Sequence, residues 1–263
     1  TISKCYLTGT YQLGTLLDGT LKKFPDDTNV PRMGRIKFGT ESNGGFKNIA
    51  ISNCVFEGCH GLALETVDGA LLEDIAITNI TMRDIVAAPI FLRLGARMRG
   101  PKNAAIGQLR RVLISNIVAS NVAPQQCSIV SGIPGHAIEG IKISDVFIQQ
   151  QGGGTREQGT RKLPEVGDQY PEPTMFGVTP AQGFYFRHVR GIDMSHIEIT
   201  SLQLDQRPGF VLDDVQDADF LRIKTQRGQD VPIFSLHNVD NFSSYLSQGV
   251  PDSTLDKVTD KTL

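Results

Sequence analysis

The tripeptide Arg35-Ile36-Lys37, set between glycines in GRIKFG, pairs two cations two residues apart, an arrangement suited to gripping the carboxylate of a sugar acid. On a strand, side chains alternate, so Ile36 and Phe38 face inward while Arg35 and Lys37 share the outer face. The same alternation in GLALET turns Leu62 and Leu64 in and Ala63 and Glu65 out. In PIFLRLGAR it turns Ile90, Leu92 and Leu94 in and Phe91 and Arg93 out. Lys37, Glu65 and Arg93 are then expected in one outward row, about 4.8 Å apart from strand to strand. Two readings of that row stand open. It is a groove floor for an acidic sugar, or a surface ladder of alternating charge whose pairs contribute under about 1 kcal/mol each. Glu41 and Arg97, near the strand ends, tip the balance towards a groove, which makes Arg35, Lys37, Glu41, Arg93 and Arg97 the binding candidates.

Groups able to move protons are fewer. Glu65 and His60, both in GCHGLALET, are the candidates, although a histidine there also reads as a turn residue. Asp26-Asp27 is a literal carboxylate pair, but KKFPDDTN reads as a solvated turn. His136 in GIPGHAIE reads as structural. In a chain with no tryptophan, Tyr170, Phe176 and Tyr185 are the rings available for stacking on a sugar, with packing as their alternative role.

The scaffold that would carry these groups is repetitive. ISKC, ISNC, ITNI, ISNI, ISDV and MSHI share one frame: apolar, Ser or Thr, polar, then apolar or Cys. Asn53, Asn79, Asn116, Asp145 and His196 hold its third position at steps of 26, 37, 29 and 51 residues. A second strand type alternates with the first and places Val189, Val215 and Val239 alike, at steps of 26 and 24. Period-two alternation, β-branched residues and Gly/Pro punctuation predict strands throughout and no long helix. One coil per repeat with neighbours stacked above and below predicts an all-β parallel β-helix forming a single domain over residues 1–263. The asparagines should then ladder at one corner. Insert loops are expected at about 20–33, 97–108 and 149–177, with a tail from about 244.

Composition narrows the partners. A net charge of -2 from 26 basic and 28 acidic residues excludes a nucleic-acid or polybasic membrane signature. No apolar run of about 18 residues is present. The four cysteines lack metal-site spacing and read as small buried apolar residues, with a Cys54–Cys59 disulfide left open. The chain begins at Thr1 on a strand-like segment with no visible signal peptide, which suggests a piece of a longer solenoid.

The long block Gly39–Arg97 (GTESNGGFKNIAISNCVFEGCHGLALETVDGALLEDIAITNITMRDIVAAPIFLRLGAR) resembles glycoside hydrolase family 28, the polygalacturonase-like pectin hydrolases, in its bacterial branch. So do GIPGHAIEGIKISDV, YPEPTMFGVTPAQGFYFRHVRGIDMSHIEI and RPGFVLDDVQDADF, and the likeness runs from Thr1 to about Thr225. The resemblance implies a right-handed parallel β-helix. It also implies a secreted or periplasmic, monomeric, cofactor-free enzyme that hydrolyses galacturonate-containing polysaccharide with inversion. The family's Asn-x-Asp and Asp-Asp belong to coils before TISKC, so this stretch alone is expected to be inactive. Its Arg-x-Lys aligns with Ala63, Leu64 and Glu65, and Arg35-Ile36-Lys37 falls one coil earlier. A non-catalytic carbohydrate-binding β-helix, such as an adhesin or spike, is the alternative. A calcium-dependent lyase finds no acidic cluster of suitable spacing.

Overall fold

A computed structural model describes residues 1–14, 17–20, 22–25, 32–41 and 43–263. Asp26-Asp27 lies outside the described residues, as do residues 21 and 28–31 of that loop. Short strands come first: β1 (Ile2–Ser3), β2 (Tyr6–Thr8), β3 (Tyr11–Leu13), β4 (Lys22–Lys23) and β5 (Lys37–Phe38). Long and short strands then alternate as β6 (Phe46–Glu57), β7 (Leu62–Thr66), β8 (Leu71–Arg83), β9 (Ile90–Leu94), β10 (Gln108–Val122), β11 (Ser128–Ser131) and β12 (Ile138–Gly152). β13 (Phe184–Gln203), β14 (Phe210–Thr225), β15 (Phe234–Tyr245) and β16 (Ser253–Thr262) complete the chain. The only helical pieces among the described residues are two 3-10 turns, Gln158–Thr160 and Pro173–Phe176.

The chain is all-β and its coils stack in parallel, as in a β-helix. β6, β8, β10, β12, β13, β14 and β15 form one stack, and β5, β7, β9, β11 and the starts of β13, β14 and β15 a second. β13 serves both, because its start pairs with β11 and its remainder with β12. β16 runs antiparallel to β15, so residues read in the sequence as a tail supply an edge strand. Gln149–Gly152, expected to open the third insert, continue β12.

The repeat frame explains the register. Ile51, Ile77, Ile114, Ile143, Met194 and Phe220 lie opposite one another in successive coils. Cys54, Ile80, Ile117, Val146, Ile197 and Ile223 follow in the same way. Both rows are buried in one core. Between them, Asn53, Asn79, Asn116, Asp145 and His196 have φ of 54–56°. This left-handed conformation turns the coil and suits Asn and Asp best among non-glycine residues. The corner ladder is partial: Asn79 Nδ2 donates to Asn53 Oδ1 at 3.2 Å, whereas Asn116 Nδ2 donates to Thr78 Oγ1 at 3.1 Å. All four cysteines are free thiols, three of them buried.

Outside the first stack runs a charge ladder of the kind considered for Lys37, Glu65 and Arg93. Lys47, Glu73, Arg110, Glu139 and Arg190 are in register across five strands. Arg110 Nε donates to Glu73 Oε2 at 2.8 Å, and Arg190 lies 3.6 Å from Glu139.

Replacing Asn79 by Val is expected to cost about 1–3 kcal/mol in a denaturant melt, because a β-branched residue is strained at positive φ. Asn79→Gly should cost less, since glycine accepts this φ without strain. Equal costs would mean that the side-chain hydrogen bond, not the corner conformation, matters there.

Candidate functional site

The outer face of the second stack is covered. Ala63, Phe91, Ile129, Tyr185 and Val211 form a second apolar cluster with Leu163, Phe176 and Ala181 of the strap that joins β12 to β13. The strap is tied at its start, where Gly154 N donates to Asp205 Oδ2 at 3.0 Å, and at its end, where Thr179 N donates to Gln125 O at 2.9 Å. The predicted alternation is correct, but pointing outward does not mean facing water.

Arg93 shows the consequence. It is opposite Glu65 in register, yet it is buried and forms no ion pair with Glu65 among the described residues. Its guanidinium donates to Ser131 Oγ (2.8 Å) and to the carbonyls of Gly132 (2.9 Å), Glu165 (2.8 Å) and Val166 (3.2 Å). Burial, with Arg187 nearby, pushes its pKa down to about 10, so it stays charged at neutral pH. Arg187 donates to the next strap carbonyls, Leu163 and Pro164, at 2.8 and 2.7 Å. Both guanidiniums lie over the Phe176 ring, at 5.3 and 5.5 Å from its centroid. Arg93 is therefore a strap clamp and not a groove cation. Phe176 and Tyr185, expected as stacking rings or packing, are both buried.

Lys37 is not in the Glu65–Arg93 row either. β5 pairs Lys37 with Ala63, two residues before Glu65. Its flexible stem nonetheless brings Nζ diagonally to 3.0 Å from Glu65 Oε2. That approach is off hydrogen-bond alignment, and neither Glu65 oxygen has a well-formed partner. Gly39, at φ +113°, lets the chain pass directly over Glu65, because a Cβ there would lie 3.0 Å from Glu65 Cβ. Glu65 is fully buried, and burial outweighs the nearby Lys37 ammonium to raise its pKa to about 7.

The residue that organises the site is Glu172, on the strap. Arg35 clasps its carboxylate with both guanidinium ends, Nη1 donating to Oε2 at 2.8 Å and Nη2 to Oε1. Lys37 Nζ donates to Oε1 at 3.2 Å. Burial alone would raise the Glu172 pKa, but Arg35 and Lys37 outweigh it and hold the carboxyl below its usual range. His60 Nδ1 accepts from Arg35 Nη1 at 3.4 Å. Burial and the Arg35 charge push its pKa down, so the imidazole is neutral at pH 7. Arg97, the remaining predicted cation, is paired with Asp68 through Nε at 3.1 Å and through Nη2, and Glu41 is 3.7 Å away. Tyr170 is 53% exposed, and its ring lies 4.7 Å from Lys37 Nζ and 6.0 Å from the Arg97 guanidinium. His136 lies apart from all of these, at a cleft of about 280 Å³ that it lines with Glu139 and His188.

The cluster thus unites Arg35, Lys37, His60 and Glu65, with Arg97 beside it and Arg93 excluded. What it can do is hold a carboxylate. It does not supply an inverting acid/base pair. Lys37 Nζ is 3.0 Å from Glu65 and 3.2 Å from Glu172, so those oxygens are closer together than the roughly 6.5–9.5 Å that substrate and water need. No group of three or more His, Cys, Asp or Glu side chains is placed to hold a metal ion among the described residues. No helix among them is long and apolar enough to cross a membrane. No known family, curated protein or solved structure matches the chain.

Two outcomes follow. An acid whose folded pKa is raised binds more protons folded than unfolded, so Glu65 lowers stability as pH rises from about 4.5 to about 7. Glu65→Gln should abolish that loss, of about 3 kcal/mol, when melts are compared at pH 5 and pH 8. Arg93→Met should cost about 3 kcal/mol by leaving strap carbonyls unpaired, and the loss should appear in denaturant unfolding.

Proposed function

We propose that the chain binds a uronate-bearing polysaccharide through Arg35 and Lys37 and serves in its hydrolysis by a glycosidase of the polygalacturonase type. One observation carries this reading: the pair already clasps a carboxylate, that of Glu172, with two-pronged geometry from Arg35 and a third donor from Lys37. Arginine recognises a planar carboxylate in this way, and a neutral sugar offers nothing equivalent. The resemblance of Gly39–Arg97 and the downstream blocks to the pectin hydrolases supplies the substrate class. Stacked parallel coils support a right-handed β-helix, because parallel crossovers are almost always right-handed. A protein with such a polymeric substrate is placed outside the cytoplasm, in secretion or the periplasm, as a monomer without cofactor.

Inverting hydrolysis needs a proton donor and a water-activating carboxylate on opposite faces of the sugar. The Glu65–Lys37–Glu172 cluster is too tight for this, so those two groups are assigned to residues outside it. The same tightness favours one second reading, a carbohydrate-binding β-helix that holds acidic glycans without cutting them.

Reducing-end release from polygalacturonate separates the two readings, since only the hydrolase produces it. Binding tests what they share. Arg35→Ala and Lys37→Ala should each weaken α-1,4-linked trigalacturonate at least about tenfold, the cost of a lost charge-assisted hydrogen bond. Unchanged affinity with an intact fold would remove both cations from the site.

A further inference from the structure

We propose that the segment Tyr170–Glu172 is an internal plug, and that Glu172 competes with external carboxylates for Arg35 and Lys37. The inference rests on the uronate reading above and concerns how that site is controlled.

The geometry is that of a ligand supplied by the chain itself. Glu172 takes both ends of the Arg35 guanidinium, and Lys37 donates to Glu172 Oε1 (3.2 Å) and to Pro171 O (3.4 Å). Carboxylate recognition at this pair is therefore already satisfied. An incoming uronate must exchange for Glu172, one carboxylate for another, and the pair need not be left uncompensated.

The plug hangs between two firm points. On one side, Gly167 O accepts from Ala96 N at 2.7 Å, and Arg93 holds the carbonyls of Glu165 and Val166. On the other, Phe176 is buried beneath both clamp arginines. The residues between rely mainly on polar contacts. Asp168, Gln169 and Tyr170 are exposed, and only Pro171 is buried before Pro173. The short span can swing while the strap stays docked.

What lies beneath points to a ligand. Arg97 is only 3% exposed in its side chain, yet its Nη1 is buried with no hydrogen-bond partner. The Tyr170 ring sits 6.0 Å from that guanidinium and 4.7 Å from Lys37 Nζ. Lifting Tyr170–Glu172 would bare three cations, Arg35, Lys37 and Arg97, the last with a spare donor. Such a patch fits a run of uronates better than a single acid.

If the plugged state dominates, apparent affinity is reduced by the fraction of molecules that are open, and removing the competitor restores it. The test is titration calorimetry of α-1,4-linked trigalacturonate into the 263-residue chain, with a neutral galactose trimer as control. Glu172→Gln keeps the side chain's shape and removes its charge, and it should bind trigalacturonate about tenfold tighter than the unaltered chain, with no gain for the neutral trimer. Equal or weaker binding by Glu172→Gln, while Arg35→Ala loses binding, overturns the plug and leaves the uronate site standing. No binding by either the unaltered chain or Glu172→Gln overturns both. Hydrogen exchange on the unaltered chain gives a readout that needs no variant. The amides of Asp168, Gln169, Tyr170 and Glu172 should exchange faster with trigalacturonate bound, while those of Leu163, Glu165, Val166 and Gly167 stay unchanged. Protection of 168–172 would mean that the ligand binds over the loop, and the plug would be refuted.

Discussion

Everything in this molecule hangs on the register by which one coil sits on the next. Ile51, Ile77, Ile114, Ile143, Met194 and Phe220 fall opposite one another, and left-handed residues in each coil, Asn53, Asn79 and Asn116 among them, turn the chain before the next inward side chain. A slip of one residue would exchange the inner and outer faces of a coil. Because slippage is forbidden, every outward residue is also held in a fixed row. The rows of the two stacks meet different fates according to what covers them.

On the first stack the outer row is largely exposed, with Glu73 buried, and becomes a ladder, from Lys47 through Glu73, Arg110 and Glu139 to Arg190. On the second stack the outer residues lie under the strap. Ala63, Phe91, Ile129, Tyr185 and Val211 bury apolar surface against it, and Arg93 and Arg187 meet its backbone. Among the described residues neither guanidinium pairs with the carboxylate opposite it in register, Glu65 for Arg93 and Asp213 for Arg187, although Arg187 lies 3.2 Å from Glu165 of the strap, and a buried guanidinium is costly unless its donors find acceptors. The strap carbonyls from Leu163 to Val166 supply most of these acceptors, which fixes where the strap lies and, through it, where Glu172 arrives.

The coil architecture was readable in the sequence because its causes are local. The frame around Asn53, Asn79 and Asn116 needs a residue tolerant of positive φ between two inward apolar positions, and that requirement is written every 26 to 37 residues. Inward and outward assignments for Leu62–Glu65 and Ile90–Arg93 followed from alternation alone. The site was readable only in part. Arg35 and Lys37 were found from type and spacing, and so were the neighbours His60, Glu65 and Arg97. Glu172 was not, because it lies 137 residues from Arg35 in a segment with no periodicity to place it. The same gap misassigned Arg93, whose outward direction is correct but whose surroundings are set by a strap that the local pattern does not describe. The offset of Lys37 from the Glu65–Arg93 row had a signal, since β5 is only two residues long and gives alternation little to fix register with.

Outward-pointing cations of the second stack thus do opposite work, and burial decides which. Arg93 is enclosed by strap carbonyls, so its charge is spent on neutral acceptors and it cannot release them without undocking the strap. Lys37 and Arg35 lie at the edge of the cover, partly exposed, and meet the strap chiefly through one carboxylate, with Lys37 also donating to Pro171 O at 3.4 Å. A neutral carbonyl is a poor substitute for an incoming acid, but a carboxylate is a close one. Exchange with an anionic ligand is therefore possible at Arg35 and Lys37 and not at Arg93. The boundary between scaffold and site falls where the strap stops presenting backbone and presents Glu172.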